Sequence, residues 1–219
     1  MRKKYLINNP DPDRLAGQAR KVFFDLIQKL TDRFEKITVS LPGGRSVQAF
    51  YREIARNFDY LPRTTWSQVH FFWTDERTVP PDHKQSNYRI AAEVFLSDLA
   101  GEETLPSDNV HRFRGEAENI SVQLEEYNRE LRTISNGLIH IPILGVGKDG
   151  HVGSLFPNHK ALEYERSGFV LIDDSPKPPS RRITIAPAHI KKSIAPFVFF
   201  IGEEKREAYQ GFLDSDTDY

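Results

Sequence analysis

Three polar, glycine- or charge-rich segments each follow an apolar run, and these hold the residue types that could do chemistry. The first is Leu41-Pro42-Gly43-Gly44-Arg45-Ser46, ahead of a helical pattern. Two adjacent glycines before a helix let backbone N–H groups approach an anion, and the helix end adds partial positive charge. Arg45 and the Ser46 hydroxyl supply further donors; the alternative is an ordinary strand-to-helix turn. The second, Thr74-Asp75-Glu76-Arg77-Thr78-Val79-Pro80, is expected to be a loop at the tip of a buried strand. Three charges there are costly without partners or work to do.

The third segment, Gly145-Val146-Gly147-Lys148-Asp149-Gly150, satisfies the G-x-G-x-x-G dinucleotide pattern letter for letter. Its context argues otherwise. A dinucleotide fingerprint must open a helix, usually in the first strand–helix unit. Here Pro157 follows within a few residues of Gly150, and the loop lies in the last third of the chain. No cofactor is expected. His151 closes this loop, whereas His70, His83, His111, His140, His159 and His189 show no metal spacing such as H-E-x-x-H and read as packed or surface residues. No metal site is expected either.

The elements that must position these loops alternate between helical and extended patterns. Val22, Phe23, Leu26, Ile27 and Leu30 recur at helical spacing behind Asp11-Pro12. Extended runs are expected at 37–41, 69–73, 110–113, 138–144, 169–172, 182–185 and 197–201. Helices are expected at 46–58, 87–96, 117–134 and 203–212. Such alternation predicts an α/β fold with a mostly parallel sheet covered by helices on both faces, in which ligands collect outside the carboxyl ends of the strands. The proline-rich stretch Asp173–Ser180 is expected to be a stiff surface loop within one domain spanning residues 1–219.

Composition narrows the function. A formal net charge of −1 argues against bulk attraction to nucleic acid or an anionic membrane, so cations for an anionic ligand must be concentrated locally. The absence of cysteine removes disulfides, Cys-ligated zinc and thiol nucleophiles. No apolar run approaches a membrane span or a signal peptide core, so a cytoplasmic location is expected.

Taken in order, Pro42-Gly43-Gly44-Arg45-Ser46, Asp75–Pro80, Ser86-Asn87, Gly145–Pro157, Lys177-Pro178-Pro179 near Arg182-Ile183-Thr184, and Gly202 with Lys205 resemble the 6-phosphogluconolactonase family. That family lies within a wider group that includes glucosamine-6-phosphate deaminase/isomerase. The segment from Gly145 to Pro157 is the specific part. The resemblance implies a three-layer, Rossmann-like single domain, no metal, and a 6-phosphorylated δ-lactone as substrate, with a monomer or small homo-oligomer as the working form. It implies that His151 is the catalytic base, oriented by Asp149, with Arg77 and Asp75 beside the lactone. The glycine loop (Gly43, Gly44, Arg45, Ser46), Arg182 and Lys205 fall where the family holds phosphate, and Lys177 is a further candidate for it.

The chemistry agrees with that reading. Lactone hydrolysis is acyl transfer to water and needs a base of near-neutral pKa, stabilisation of an oxyanion and a grip on the distant phosphate. Imidazole suits the first need, and Asp149 can fix its tautomer as a triad carboxylate does. The nearest alternative is aldose–ketose isomerase or deaminase chemistry, whose members carry a glutamate before the proline of this motif. Here Phe156 precedes Pro157, and phenylalanine transfers no proton. A non-catalytic sugar-phosphate sensor is the other alternative, but it would need an output module, and no helix-turn-helix extension or basic patch is evident. Pro42 and Arg45 depart from the serine- and threonine-rich phosphate loop more usual in the family.

Overall fold

The structure is a computed structural model that describes residues 5–44, 46–102 and 104–214. Its strands are β1 (Ile37–Leu41), β2 (Val69–Trp73), β3 (Asp75–Arg77), β4 (Ile141–Gly145), β5 (Phe169–Ile172), β6 (Arg182–Ile185) and β7 (Phe197–Phe199). Its helices are α1 (Pro12–Thr31), α2 (Gln48–Arg56), α3 (Arg63–Trp66), α4 (Asn87–Ala91), α5 (Ser97–Gly101), α6 (Ile120–Ser135), α7 (Pro187–Lys192) and α8 (Arg206–Asp214). A π-helical turn, Ala92–Leu96, joins α4 to α5.

The expected parallel sheet is present, with strand order β2-β1-β4-β7. Strands in a covered parallel sheet are buried on both faces, and every residue of β1 and β2 is buried. The alternation of side chains sends the two sets to different cores. Ile37, Val39 and Leu41 join Val69, Phe71, Trp73, Ile141 and Ile143 against α1 and α2. Phe72 points to the other face and packs with Tyr127 and Leu131 of α6, Phe169 and Ile183.

Helix α1 starts where Asp11 accepts from the backbone N–H groups of Asp13 (2.9 Å) and Arg14 (3.3 Å), with Pro12 in its first turn. It buries Ala16, Ala19, Phe23, Phe24, Ile27 and Leu30, a stripe at three- and four-residue steps. Helix α6 is capped by Asn119, buries Ile120, Gln123, Tyr127 and Leu131, and stops at Asn136 in the left-handed region. Emptying the position of a wholly buried ring such as Phe23 would cost about 3–5 kcal/mol.

A second sheet, β3-β6-β5, is antiparallel throughout. It corrects the expectation that Asp75–Arg77 is loop: these residues form β3, paired with Arg182–Thr184 of β6. Charged side chains are tolerated on so buried a strand because each finds partners, as described below. Three extended runs are shorter than expected, the run at 138–144 becoming strand only from Ile141. Residues 110–113 make only one bridge, Phe71 to Val110, and β7 ends at Phe199 because Phe200 turns away to stack on Tyr209 and Phe212 of α8, at 5.3 Å each. Among the described residues no helix is long and apolar enough to cross a membrane.

Candidate active site

The carboxyl ends of the parallel strands gather the three segments. Gly43 and Gly44 follow β1, Asp75–Arg77 follow β2, the loop from Val146 to His151 follows β4, and Gly202–Lys205 follows β7. This is the edge where open α/β sheets bind ligands.

The β4 loop folds back on itself. Val146 bridges Val152, the Gly147 N–H donates to the His151 carbonyl (2.8 Å), and the Gly150 N–H to the Gly147 carbonyl (3.0 Å). No helix opens at Gly150. Gly150 takes φ +84, so the chain turns sharply and brings Asp149 and His151 side by side. A side chain on Gly147 would lie 2.0 Å from the His151 ring, so this glycine is the floor on which the imidazole rests. The other ring face stacks on buried Phe156, with centroids 4.7 Å apart.

His151 Nδ1 and Asp149 Oδ1 form a short hydrogen bond. A carboxylate at that nitrogen calls for the tautomer with Nδ1–H as donor, which leaves Nε2 with its lone pair; among the described residues it has no partner. Burial lowers the His151 pKa and the Lys177 charge lowers it further, against the upward pull of Asp149 and Asp75. Burial pushes Asp149 up, but the hydrogen bond and charge of His151, with help from Lys177, outweigh it and hold Asp149 at about 2.

The β1 loop turns on its glycines ahead of α2. Gly44 has φ +93, and α2 begins at Gln48 with no described side chain capping its N–H groups. The Ser46 hydroxyl lies 3.4 Å from the place a Cβ on Gly145 would take, so this loop adjoins the His151 loop. Tyr51 of α2 donates to the Pro42 carbonyl (2.7 Å) and fixes the loop from below. Arg45, a candidate phosphate ligand, lies outside the described residues. Lys205 stands one strand further along, its Nζ 3.8 Å from Glu204 and its side chain 15% exposed.

Asp75 is 5% exposed and both its oxygens are engaged: Oδ1 accepts from Asn87 Nδ2 (3.1 Å) and Oδ2 from Ser154 Oγ (2.8 Å). It braces the site rather than offering a free carboxylate. Glu76 accepts the backbone N–H groups of Arg77 (2.8 Å), Asn87 (2.9 Å) and Tyr88 (2.7 Å), and the Ser86 hydroxyl (3.1 Å). Burial raises its pKa to about 7 against those three backbone donors. Arg77 Nη1 donates to the Gln85 carbonyl (2.5 Å), while its buried Nε has no protein partner.

Arg182 and Lys177 meet at the proline loop. Arg182 stands opposite Arg77 in the β3–β6 register and is 4% exposed. Its Nε donates to the Pro179 carbonyl (2.8 Å), and its Nη2 to the carbonyls of Lys177 (2.8 Å) and Pro178 (3.0 Å). It therefore clamps the proline loop. Lys177 does not stand free to meet phosphate. Its Nζ lies 3.2 Å from Asp149 Oδ2 and 3.2 Å from His151 Nδ1.

Sequence reasoning passed over Asn87, Ser154 and Thr184 as site residues. Asn87 is 1% exposed, donates to Asp75 and abuts Gly43, where a Cβ would fall 1.8 Å from its Oδ1. The Thr184 hydroxyl accepts the Ser154 N–H (3.1 Å) and ties the His151 loop to β6. The Ser86-Asn87 pair was visible as part of the resemblance; the contact with Gly43 was not. Among the described residues no group of three or more His, Asp or Glu side chains converges as a metal-ligand set.

A parallel sheet with a glycine turn and a histidine–aspartate pair at its carboxyl edge defines the class of α/β protein. Comparison with known proteins gives that class a family. The family model for glucosamine-6-phosphate isomerases/6-phosphogluconolactonase matches residues 10–219, and the chain belongs to this family. It is 34% identical over 213 residues to 6-phosphogluconolactonase 3, chloroplastic, of Arabidopsis thaliana, covering 92% of this chain and 63% of that protein. It is 31% identical over 196 residues to 6-phosphogluconolactonase of Borreliella burgdorferi, covering 89% of this chain and 80% of that one. The chain thus spans less than two thirds of the length of the plant relatives. Among solved structures, 6-phosphogluconolactonase from Thermotoga maritima superposes with a TM-score of 0.77 at 31% identity, over 95% of this chain and 88% of that one. A monomeric glucosamine-6-phosphate deaminase superposes at 0.78 with 17% identity over 97% and 88%, a likeness of fold alone.

Proposed function

We propose that the protein hydrolyses 6-phospho-D-glucono-1,5-lactone to 6-phosphogluconate, with His151 activating water and no metal taking part. The observation that carries this reading is the Asp149–His151 pair, whose Nε2 stays free beside an anion cradle on the same sheet edge. The family relatives named 6-phosphogluconolactonase support the substrate class.

The phosphate sits on the backbone of Gly43 and Gly44 with the Ser46 hydroxyl, and Lys205 approaches from the end of β7. That grip lies a sugar's length from the reacting carbon and fixes the ring without entering bond breaking. Nε2 takes a proton from water as its oxygen bonds to C1, and Asp149 stabilises the imidazolium that forms. The oxyanion on C1 draws a donor, which Arg77 or the N–H groups of the loops supply. Collapse of the tetrahedral intermediate breaks the bond from C1 to the ring oxygen, which receives the proton held on Nε2. The product is an open-chain carboxylic acid, which gives its remaining proton to solvent and leaves as the carboxylate. Isomerase or deaminase chemistry lacks its second acid here, because Phe156 is buried against the His151 ring.

The test is hydrolysis of freshly made 6-phosphoglucono-δ-lactone, with chelator present, followed against the spontaneous rate. Turnover well above background supports the reading. Binding of 6-phosphogluconate with no acceleration would replace it with a sensor.

A further inference from the structure

Lys177 is the only ammonium in contact with the Asp149–His151 pair among the described residues, and it arrives from a different part of the chain. Its approach is built rather than casual. Buried Arg182 holds the carbonyls of Lys177, Pro178 and Pro179, and the Ser175 hydroxyl donates to the Lys177 carbonyl (3.0 Å). The Ser175 N–H donates across the loop to the Ser180 carbonyl (3.0 Å). The ammonium also lies 5.3 Å from the centroid of Phe156, the ring on which His151 stacks.

The tautomer decides what the contact means. Nδ1 carries a hydrogen directed at Asp149 Oδ1, so it cannot accept from the ammonium 3.2 Å away. Lysine and histidine therefore share the same carboxylate: both donate to Oδ1, the ammonium at 3.5 Å, and the ammonium also pairs with Oδ2 at 3.2 Å. We propose that Lys177 is a positioning residue that shares Asp149 with His151 and thereby keeps the imidazole neutral and correctly turned, rather than a ligand of the phosphate. The inference rests on the lactonase reading given above and adds a regulating charge to the same site.

Electrostatics gives the sign. The charged groups facing His151 are Asp149 on its own loop, Lys177 on the proline loop and Asp75 on β3. The two carboxylates favour the imidazolium, while burial and the ammonium oppose it. With Lys177 in place, the base stays unprotonated into mildly acidic solution. Without it, both carboxylates act unopposed by a neighbouring cation and the imidazole holds its proton to higher pH.

The test is the K177Q variant, in which a polar side chain of similar length carries no charge, with K177R as the conservative control. The acid limb of the kcat/KM profile should move up by on the order of one pH unit in K177Q and stay near that of the parent in K177R. The KM at the alkaline plateau should change little. The His151 ring proton, titrated by NMR without substrate, should report the same shift. An unmoved acid limb and an unmoved ring titration would overturn the proposal. So would a large rise in KM for phosphorylated lactone alone, which would return Lys177 to the phosphate. The NMR titration reads Lys177 whether or not the parent hydrolyses lactone, so a failure of the lactonase reading remains separate.

Discussion

Of three imidazole–carboxylate pairs among the described residues, His151–Asp149, His111–Glu130 and His159–Asp174, the first two make the sharpest contrast. At the carboxyl edge of the parallel sheet, His151 donates to Asp149 and leaves Nε2 open. Beside β2, His111 Nδ1 meets Glu130 of α6 at 2.7 Å and its Nε2 meets His70 at 2.9 Å, so both ring nitrogens are spent. His111 is also stacked on Phe72, with centroids 4.5 Å apart. A cavity of about 550 Å³ opens there, lined by Arg112, Arg114 and Arg129 among others. Each of those arginines is matched by a glutamate: Arg112 with Glu116, Arg114 and Arg129 with Glu126. A histidine beside a carboxylate is therefore not enough for a base. The ring must keep one nitrogen free, at a place where an anion can be held next to it.

The largest effect that would break this contrast is at His151. His151→Ala should lower catalysed lactone hydrolysis by about 10³-fold, within the range general-base catalysis supplies, with little change in affinity for the product. His111→Asn should leave kcat/KM within about twofold and instead lower stability, since buried His70 loses a partner, at about 1–3 kcal/mol. Steady-state rates and thermal melts on the two variants separate the roles. Activity lost at His111 and kept at His151 would reverse them.

Next in size is Asp149→Asn. The carboxamide can turn its NH2 toward Nδ1, which selects the tautomer with hydrogen on Nε2 and removes the lone pair the water needs. A loss of about 10² in kcat is expected, with KM for the phosphorylated lactone near that of the parent. A rise in KM alone would mean that Asp149 serves binding.

What was legible in the sequence follows from which interactions are local. Runs 69–73, 169–172 and 182–185 coincide with β2, β5 and β6, because each is dominated by apolar, aromatic or β-branched residues. The turn at Gly150 and the nearness of Asp149 to His151 are consequences of a few adjacent residues. The strand character of Asp75–Arg77 was hidden, because charges at a strand tip signal solvent unless the capping of Glu76 by α4 is known. Asn87 as a wall of the glycine loop and Lys177 beside Asp149, 28 residues away in the chain, depend on contacts between distant loops, which leave no local mark.

The smallest effect concerns histidines that resemble neither member of the comparison. His70, His140 and His189 are buried and each has its pKa lowered to about 4, with burial the first cause. Each is neutral in the folded protein, while in the unfolded chain it takes up a proton near pH 6.5. The unfolded state therefore binds more protons between those values. The stability these residues contribute is full above pH 6.5 and is lost as pH falls toward 4, by up to about 3 kcal/mol for each. His140 isolates the effect, since its Nδ1 accepts the Thr38 N–H at 3.0 Å and an asparagine Oδ1 can take that bond. His140→Asn should be less stable at neutral pH, because the ring contact with Phe34 is gone, yet its melting temperature should fall less steeply on acidification. His151, where Asp149 and Asp75 oppose the effect of burial, should give no comparable flattening when replaced. Melts of both variants from pH 7.5 to 4.5 check this; parallel curves for His140→Asn and the parent would mean that another group governs acid unfolding.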